Sequence, residues 1–144
     1  MEVKDIMTQP AISIGPEETA EVAARTLTHY NIGFLPVCGE DGKLCGLVTD
    51  RDLVTRCMAS GRTPAQTKVR EVMSARITSV SPDTKVSAAA QLMGSQQIRR
   101  LPVVEKGKVR GVLSLGDLAK QQEMAEKATN TLSEISQNPA GGRG

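Results

Sequence analysis

The chain contains one sequence pattern twice, and this internal repeat constrains its fold more than any other feature. Three blocks recur in the same order along the 144 residues, displaced by 66 residues for the first two blocks and by 65 for the third. The paired blocks are residues 3–7 with 69–73, 32–37 with 98–103, and 46–53 with 111–118. A tandem duplication of this size predicts two half-units that pack face to face, because neither half can bury a sizeable core alone. The cleft between them is the natural position for a functional site.

Charge and hydropathy exclude several classes of function. The net charge is only +2, and the 18 basic residues are spread along the chain rather than clustered. Neither nucleic acid nor an anionic membrane is therefore a predicted partner. No apolar run approaches the roughly 20 residues that span a bilayer, and the start of the chain lacks the apolar core of a secretory signal. We predict a cytoplasmic protein of one domain.

The cysteines and the single histidine favour neither a disulfide framework nor a metal site. Cys38, Cys45 and Cys57 all lie in the first copy, and their odd number without a Cys-x-x-Cys spacing suits a reducing compartment. Together with His29 they match no standard zinc spacing. The sequence has no Walker loop and no Gly-x-Gly-x-x-Gly loop, and one histidine gives no support for a catalytic triad. We predict no metal, no required cofactor and no enzymatic activity.

Each copy is predicted to fold as strand, helix, strand, strand and helix, which places the chain in the α/β (α+β) class. In the first copy these elements are predicted at residues 11–14, 19–30, 34–38, 44–48 and 50–59. Turns that contain glycine, at 39–43 and 105–108, join the central strands as hairpins. The final helix of the second copy is predicted from Leu115 to Lys127.

Apolar residues at three- and four-residue steps predict the buried face of the first helix in each copy. These residues are Ala20, Ala23, Leu27 and Tyr30 in the first copy and Val86, Ala89, Ala90 and Met93 in the second. The predicted boundaries are 1–60 for the first repeat, 61–68 for a linker, 69–127 for the second repeat and 128–144 for a tail. The tail ends in a Pro- and Gly-containing stretch and is predicted to be flexible.

A hydroxyl followed three residues later by a carboxylate marks the last strand-to-helix junction of each copy. These pairs are Thr49 with Asp52, and Ser114 with Asp117. The pattern is that of a capping box, which satisfies free N–H groups at a helix start. The same geometry also suits a nucleotide, because the helix N-terminus attracts phosphate and a carboxylate can accept hydrogen bonds from two ribose hydroxyls. From the spacing alone both interpretations stay open.

The order of these motifs resembles the cystathionine-β-synthase (CBS) domain family. Asp-Ile-Met, a strand, a helix, Ile-x-x-Leu-Pro-Val, a hairpin and Gly-Leu-Val-Thr-x-x-Asp-Leu follow one another in the first copy, and the second copy repeats the series as far as about Gln122. Two such repeats are similar to a CBS pair, or Bateman module. The resemblance implies a pseudo-twofold module with two clefts between the repeats. In the family these clefts commonly bind AMP, ADP, ATP or S-adenosylmethionine, and sometimes NAD or a cyclic dinucleotide.

The resemblance also implies roles for particular residues. The implied ribose and phosphate contacts are Thr49, Asp52, Ser114 and Asp117. The implied lining of the base or phosphate region is Gly33, Phe34, Arg99 and Arg100, and the implied closure of the adenine pocket is Ser13, Thr78 and Ser79. Because both copies keep the hydroxyl and the carboxylate, both clefts have the residues to bind a ligand.

The two clefts are nevertheless expected to differ. Arg99 and Arg100 stand where the first copy has Gly33 and Phe34. Guanidinium groups bind phosphates through paired hydrogen bonds, so the cleft near the two arginines is expected to prefer the more highly charged nucleotide. The alternative is that the two arginines form an exposed strand edge with no ligand.

The leading hypothesis is a non-catalytic sensor of adenosine-containing nucleotides that forms a homodimer, as CBS pairs usually do, and signals to a protein partner in trans. The alternative is a dimerisation scaffold that binds no ligand. A third hypothesis, nucleic-acid binding through Arg62, Lys68, Arg70 and Arg76, is disfavoured by the low net charge and the scarcity of aromatic residues.

Overall fold

A computed structural model describes the backbone of residues 1–137 and the side chains of residues 1–130, and it has the α/β (α+β) class that the repeats predict. The elements are α1 (Ala20–Tyr30), β1 (Phe34–Cys38), β2 (Leu44–Thr49), α2 (Asp50–Asp52), α3 (Val69–Val72), α4 (Val86–Gln96), β3 (Arg100–Glu105), β4 (Lys108–Ser114) and α5 (Leu115–Gln137). Short 3-10 helices cover Val3–Asp5 and Pro64–Gln66, and α2 continues as a π-helix over Leu53–Met58.

Two antiparallel hairpins, β1 with β2 and β3 with β4, form the centre of the fold, as the turn residues predict. In the second hairpin Lys106 and Gly107 have φ angles of 53° and 79°, which suits a two-residue turn between twisted strands. The N–H of Leu44 donates to the carbonyl of Gly107 at 3.0 Å. The two hairpins therefore contact each other at this end.

The first predicted strand of each repeat is reduced to a single paired residue. The N–H of Ile14 donates to the carbonyl of Pro36 at 3.0 Å, and the carbonyl of Ile14 accepts from the N–H of Cys38 at 2.9 Å. Val80 makes the equivalent parallel bridge in the second repeat. Residues 11–13 make no strand pairing, so the prediction of a full strand at 11–14 was wrong in extent. Pro16 and Pro82, two residues after the bridges, lack an N–H and end the pairing on the other side.

The buried faces of α1 and α4 follow most of the predicted pattern. Ala20, Ala23 and Leu27 are buried, as are Ala89 and Met93 in the second repeat. Val86 is half-buried, and the predictions fail at the other two positions. The side chain of Tyr30 is 49% exposed because it ends α1, where the chain turns away at Asn31. Ala90 is exposed because it directly follows the buried Ala89 and points about 100° away around the helix.

Helix α5 runs to Gln137 rather than ending at the predicted Lys127. Residues 118–137 contain no glycine and no proline, so the sequence offers no strong stop signal before Pro139. The helix thus includes the first part of the segment predicted as a tail. The rest of that tail, residues 138–144, lies outside the described part of the chain.

The opening segment of each repeat packs on the other repeat. The N–H of Val3 donates to the carbonyl of Thr84 at 2.8 Å, and that of Thr8 to the carbonyl of Val112 at 2.9 Å. Conversely, the segment that opens the second repeat bonds to the first repeat. The N–H of Val69 donates to the carbonyl of Glu18, and that of Ser74 to the carbonyl of Leu47, each at 2.8 Å.

This exchange completes the two buried clusters of the fold. Val69 and Val72 are fully buried in the cluster that contains Leu35, while Val3 is fully buried in the cluster that contains Leu101. Each core therefore includes side chains from both copies of the sequence. The two repeats cannot separate without exposing these side chains to water.

Gly46 and Gly111 allow the exchanged segments to approach the hairpins. A β-carbon added to Gly111 would lie 2.8 Å from Met7 Sδ and 2.8 Å from the carbonyl oxygen of Thr8. A β-carbon added to Gly46 would lie 2.5 Å from the Sδ of Met73. Any larger residue at these positions must displace the exchanged segment, because the obstacles include main-chain atoms.

The Gly111→Ala variant tests this close approach. We expect it to lower the free energy of unfolding by about 1–3 kcal/mol, because overpacking forces the Thr8 carbonyl away, and to lower the melting temperature by several degrees. Gly94→Ala is the matched control, since a β-carbon there, in the last turn of α4, meets nothing within 4 Å. The control should be neutral or stabilising. Equal melting temperatures for the two variants would contradict the packing argument.

Ion pairs hold the segment around α3 against the first repeat. Glu17 accepts from Lys68 Nζ at 2.7 Å and lies 3.1 Å from Arg70 Nε. Glu71 accepts from the N–H of Lys68 at 2.7 Å and from Arg62 Nη1 at 3.1 Å. The hydrogen bond from Lys68 is the main cause that lowers the pKa of each glutamate. Both carboxylates therefore bind protons less readily in the folded than in the unfolded chain.

This difference predicts a specific loss of stability in acid. The contribution of lowered pKa values is fully present above the ordinary glutamate pKa of 4.5 and is lost as the pH falls through the lowered values. The double variant Glu17→Gln and Glu71→Gln should therefore show a smaller drop in melting temperature between pH 7 and pH 3 than the wild type. Glu40→Gln, on the turn between β1 and β2, is the control and should keep the wild-type profile. An unchanged drop in the double variant would exclude these pairs as a source of acid sensitivity.

Candidate functional site

A cavity of about 390 Å³ lies between the two repeats. Five of the residues singled out from the sequence line it, namely Phe34, Arg99, Arg100, Ser114 and Asp117. The lining residues that the sequence reasoning missed are Thr8, Pro10, Ala11, Ile12, Asn31, Ile32, Val112, Leu115 and Gly116. The cavity thus combines the start of the chain, the end of α1 and the β4–α5 junction.

Asp117 is fixed at the start of α5 by three hydrogen bonds, two of them accepted by its carboxylate. Its Oδ2 accepts from the N–H of Ser114 at 2.9 Å, while its own N–H donates to Ser114 Oγ at 3.1 Å, which completes a capping box. The hydroxyl of Thr8 donates to Oδ1 of Asp117 at 3.2 Å. This last contact comes from the exchanged opening segment, so the site contains a residue from each copy.

Arg99 and Arg100 supply positive charge to the cavity. Within the part of the chain that the structure describes, neither guanidinium makes a hydrogen bond or an ion pair of 4.0 Å or less. Two unpaired guanidinium groups beside a concave surface attract anions and can bind phosphate oxygens in pairs. The arrangement can therefore hold an anionic group close to the carboxylate of Asp117.

The first turn of α5 adds donors to the same wall. Gly116 lines the cavity, and a β-carbon placed on it would meet only Ser114 Oγ, at 3.5 Å. Amide groups in the first turn of a helix have no partner within the helix, and the helix dipole favours negative charge there. The N–H groups of Leu115 and Asp117 already donate to the carbonyl of Arg99 and to Ser114 Oγ. Because Gly116 carries no side chain, a ligand can approach the amide of Gly116 itself closely.

Part of the cavity lining is apolar. Ile12, Ile32, Phe34 and Val112 supply aliphatic and aromatic surface. An apolar wall facing a few convergent polar groups is the usual form of a small-molecule site. Such a wall can accept the flat face of a heterocyclic base while the polar side binds hydroxyl or phosphate groups.

The equivalent junction in the first repeat has different partners. Thr49 and Asp52 form the same capping box, at 3.1 Å and 3.0 Å. The Oδ1 of Asp52, however, lies 3.8 Å from Arg56 Nε, and the side chain is only 16% exposed. Position 56 corresponds to Gln121 in the second repeat. The carboxylate of Asp52 is thus partly neutralised by its own helix, whereas that of Asp117 is not.

The remaining predicted site residues lie outside the 390 Å³ cavity. Gly33 borders Asp50 and Arg100, and Thr78 donates to Gln96 Oε1 at 2.6 Å. Ser79 is exposed. Burial raises the pKa of the Cys38 thiol, and a hydrogen bond with Ser13 partly offsets this shift. From that segment Pro10, Ala11 and Ile12 line the cavity, whereas Ser13 does not.

Thr8 could have been found from one signal in the sequence. A hydroxyl residue directly follows the methionine of both opening blocks, as Thr8 and as Ser74. The two hydroxyls have different hydrogen-bond partners, since Ser74 Oγ donates to the carbonyl of Arg76 at 3.5 Å and not to Asp52. The repeat thus marked the position, but only the exchanged packing reveals its partner.

The described side chains, those of residues 1–130, contain no group of three or more His, Cys, Asp or Glu that could hold a metal ion. In the same part of the chain, each helix is too short or too polar to traverse a lipid bilayer.

Comparison with known proteins identifies the family. The family model for the CBS domain matches residues 3–59 and 69–123. The CBS domain-containing protein YhcV of Bacillus subtilis is 42% identical over 134 residues, which cover 93% of this chain and 94% of YhcV. Hypoxic response protein 1 of Mycobacterium tuberculosis is 32% identical over 117 residues, covering 81% of this chain and 82% of that protein.

Solved structures agree with this family. The CBS domain pair of protein MJ0100, in complex with 5′-methylthioadenosine and S-adenosyl-L-methionine, has a TM-score of 0.77 at 27% identity, covering 87% of this chain and 98% of that one. Hypoxic Response Protein I with two coordinated zinc ions also has a TM-score of 0.77, at 31% identity, covering 83% of this chain and 98% of that one. The matched family model describes a CBS domain rather than a catalytic domain. With one matching segment in each repeat, the chain belongs to the CBS domain family and is a tandem CBS pair.

Proposed function

We propose that this CBS pair is a non-catalytic sensor that binds an adenosine-containing nucleotide in the cavity between its repeats. The observation that carries the proposal is the set of groups around that cavity. Two guanidinium groups without partners in the described chain, the first turn of α5 and the fixed carboxylate of Asp117 all face one apolar wall. A nucleotide presents the complementary groups, namely phosphate, ribose hydroxyls and a flat base.

The proposed binding mode assigns one part of the ligand to each wall. Asp117 accepts hydrogen bonds from the ribose hydroxyls, with Ser114 beside it. Arg99, Arg100 and the amide of Gly116 contact the phosphate. The base packs on the apolar wall formed by Ile12, Ile32, Phe34 and Val112. Thr8 ties the ribose end to the exchanged segment through its bond to Asp117.

The charge of the cavity favours AMP, ADP or ATP over S-adenosylmethionine. The related CBS pair of MJ0100 is described with 5′-methylthioadenosine and S-adenosyl-L-methionine bound, which supports an adenosyl ligand in general. In this chain a sulfonium cation would meet two guanidinium groups, whereas a phosphate would be attracted by both. We therefore place nucleoside phosphates first, with S-adenosylmethionine and NAD as the other members of the class.

The response to the ligand is proposed to be a change in how the repeats or copies of the chain associate. A ligand that contacts both repeats favours the arrangement in which those contacts fit, to the extent that its affinity differs between arrangements. We propose that the chain acts as a cytoplasmic homodimer that senses nucleotide levels and passes the signal to a protein partner in trans. Its freedom from nucleic-acid and membrane partners remains a prediction from its charge pattern.

A ligand-free interaction scaffold is the second candidate, and one observation favours it. Val54, Met58 and Met124 are apolar residues on helices, yet they are 55%, 66% and 62% exposed. Exposed apolar side chains of this size suit a contact between copies or with a partner. The scaffold requires that copies of the chain, or the chain and a partner, associate equally well with and without nucleotide. The sensor requires that the chain binds the nucleotide.

Thermal unfolding with added nucleotides tests the function. AMP, ADP or ATP should raise the melting temperature by several degrees, because a ligand at about a hundred times its Kd adds about 2.7 kcal/mol to the stability of the folded state. S-adenosylmethionine and NAD should give smaller shifts, and GMP is the control for the base. The protein should first be shown to be free of co-purified nucleotide. If none of the adenosine ligands raises the melting temperature, the sensor function is contradicted and the scaffold becomes the favoured candidate.

The pair of variants Asp117→Asn and Asp52→Asn tests the position of the ligand. Each change removes the negative charge from a capping box of the same form, so their effects on stability should be similar. Asp117→Asn should weaken AMP binding at least tenfold, because hydrogen bonds to a charged group contribute about 1.5–3 kcal/mol. Asp52→Asn should leave the affinity for AMP unchanged. Calorimetry measures the AMP affinity of both variants. Equal losses of affinity would contradict the proposal that the ligand binds in the Asp117 cavity.

A further inference from the structure

Arg100 lies between the candidate cavity and a carboxylate of the first repeat. It lines the cavity, and its guanidinium also lies beside Gly33, the residue that directly precedes β1. A β-carbon added to Gly33 would lie 3.3 Å from Arg100 Nη2 and 3.2 Å from Asp50 Oδ2. The guanidinium and the carboxylate therefore flank the same point, and both can approach it because Gly33 has no side chain.

The carboxylate of Asp50 is held in place from two sides. Its Oδ1 accepts from the N–H of Arg51 at 2.8 Å, and the N–H of Asp50 donates to the carbonyl of Gly33 at 3.1 Å. These bonds fix the residue at the start of α2 and leave Oδ2 on the side of Arg100. Asp50 is thus a stationary negative charge close to one of the two cavity arginines.

The second repeat carries no such charge at the equivalent place. Leu115 corresponds to Asp50, and its N–H donates to the carbonyl of Arg99 at 2.9 Å just as Asp50 donates to Gly33. The main-chain geometry is therefore repeated, while the carboxylate is present only in the first repeat. Asp50 therefore places a negative charge beside the cavity residue Arg100, whereas its counterpart Leu115 brings no charge to the cavity.

We propose that Asp50 determines the affinity and the charge preference of the cavity by competing with the ligand's phosphate for Arg100. This inference rests on the proposed nucleotide-binding function. In the free protein the carboxylate attracts the guanidinium and lowers the positive potential of the cavity. Asp50 and Arg100 flank the same point without forming an ion pair of 4.0 Å or less. A bound phosphate therefore competes with the attraction of Asp50 for the guanidinium and also lies near a like charge, so each additional phosphate gains less than it would beside two arginines alone.

The test compares Asp50→Asn with the wild type by calorimetry, using AMP and ATP as the probes. Asparagine can still accept from the N–H of Arg51, so the start of α2 is preserved. AMP should bind about threefold to tenfold more tightly to the variant, as expected for removing one charge several ångströms from a partly solvated anion. The gain should be larger for ATP than for AMP, and it should shrink as salt is raised from about 50 mM to about 500 mM.

Three controls separate this effect from a change in structure or in net charge. Asp50→Glu keeps the charge and should bind like the wild type. Asp41→Asn makes the same change in net charge on the turn between β1 and β2, where Asp41 caps the N–H of Lys43, and should leave both affinities unchanged. Asp50→Ser keeps a capping hydroxyl and repeats the charge removal, so it replaces Asp50→Asn if that variant proves unstable.

The possible failures are distinguishable. If neither AMP nor ATP binds to the wild type or to any variant, the proposed function is contradicted, and the inference that rests on it is contradicted as well. Binding by the wild type that is unchanged or weaker in both Asp50→Asn and Asp50→Ser would overturn the role of Asp50 alone. A gain that is equal for AMP and ATP and insensitive to salt would also overturn it, because a purely structural effect does not depend on ligand charge.

Discussion

The fold depends on the close contact between each hairpin and the opening segment of the other repeat. Gly111 and Gly46 make this contact possible, since a side chain at either position would collide with a methionine and with main-chain atoms. Once the segments are exchanged, Val3 completes one core and Val69 the other. The same exchange carries Thr8 to Asp117. Stability and the candidate site thus have a common origin, because the segment that closes a core also supplies a wall of the cavity.

Local signals in the sequence were sufficient for the parts of the fold that local physics determines. Turn residues set the hairpins, and a capping hydroxyl with an acid three residues later set the helix starts at Thr49 and Ser114. The first strands were overestimated, because only Ile14 and Val80 meet β1 and β3 in register and the residues before them make no pairing. That register is a property of the folded chain rather than of the segment itself.

Residues of the candidate cavity were found from the sequence where motifs stand out, and missed where packing decides. Ser114, Asp117 and the two arginines belong to such motifs. The repeat marks the position of Thr8 but not its partner, which comes from the exchange of segments, and Ile12 belongs to no motif. The repeat also concealed a difference between its halves. Equivalent capping boxes at Asp52 and Asp117 have unequal neighbours, since Arg56 lies near the first and Thr8 bonds to the second.

A duplicated frame with unequal charges is a suitable basis for a sensor. Duplication supplies two matching main-chain scaffolds, so single substitutions can change the electrostatics of one cleft without disturbing the other. Arg99 in place of Gly33 adds a positive charge, and Leu115 in place of Asp50 removes a negative one. Both differences make the second-repeat junction the more attractive for an anion, and neither alters a capping box. In the proposed function, a ligand there must contact residues of both repeats and must compete with Asp50 for Arg100. Its binding free energy therefore depends on how the repeats are placed, and by the reciprocity of linkage the placement of the repeats depends on the ligand.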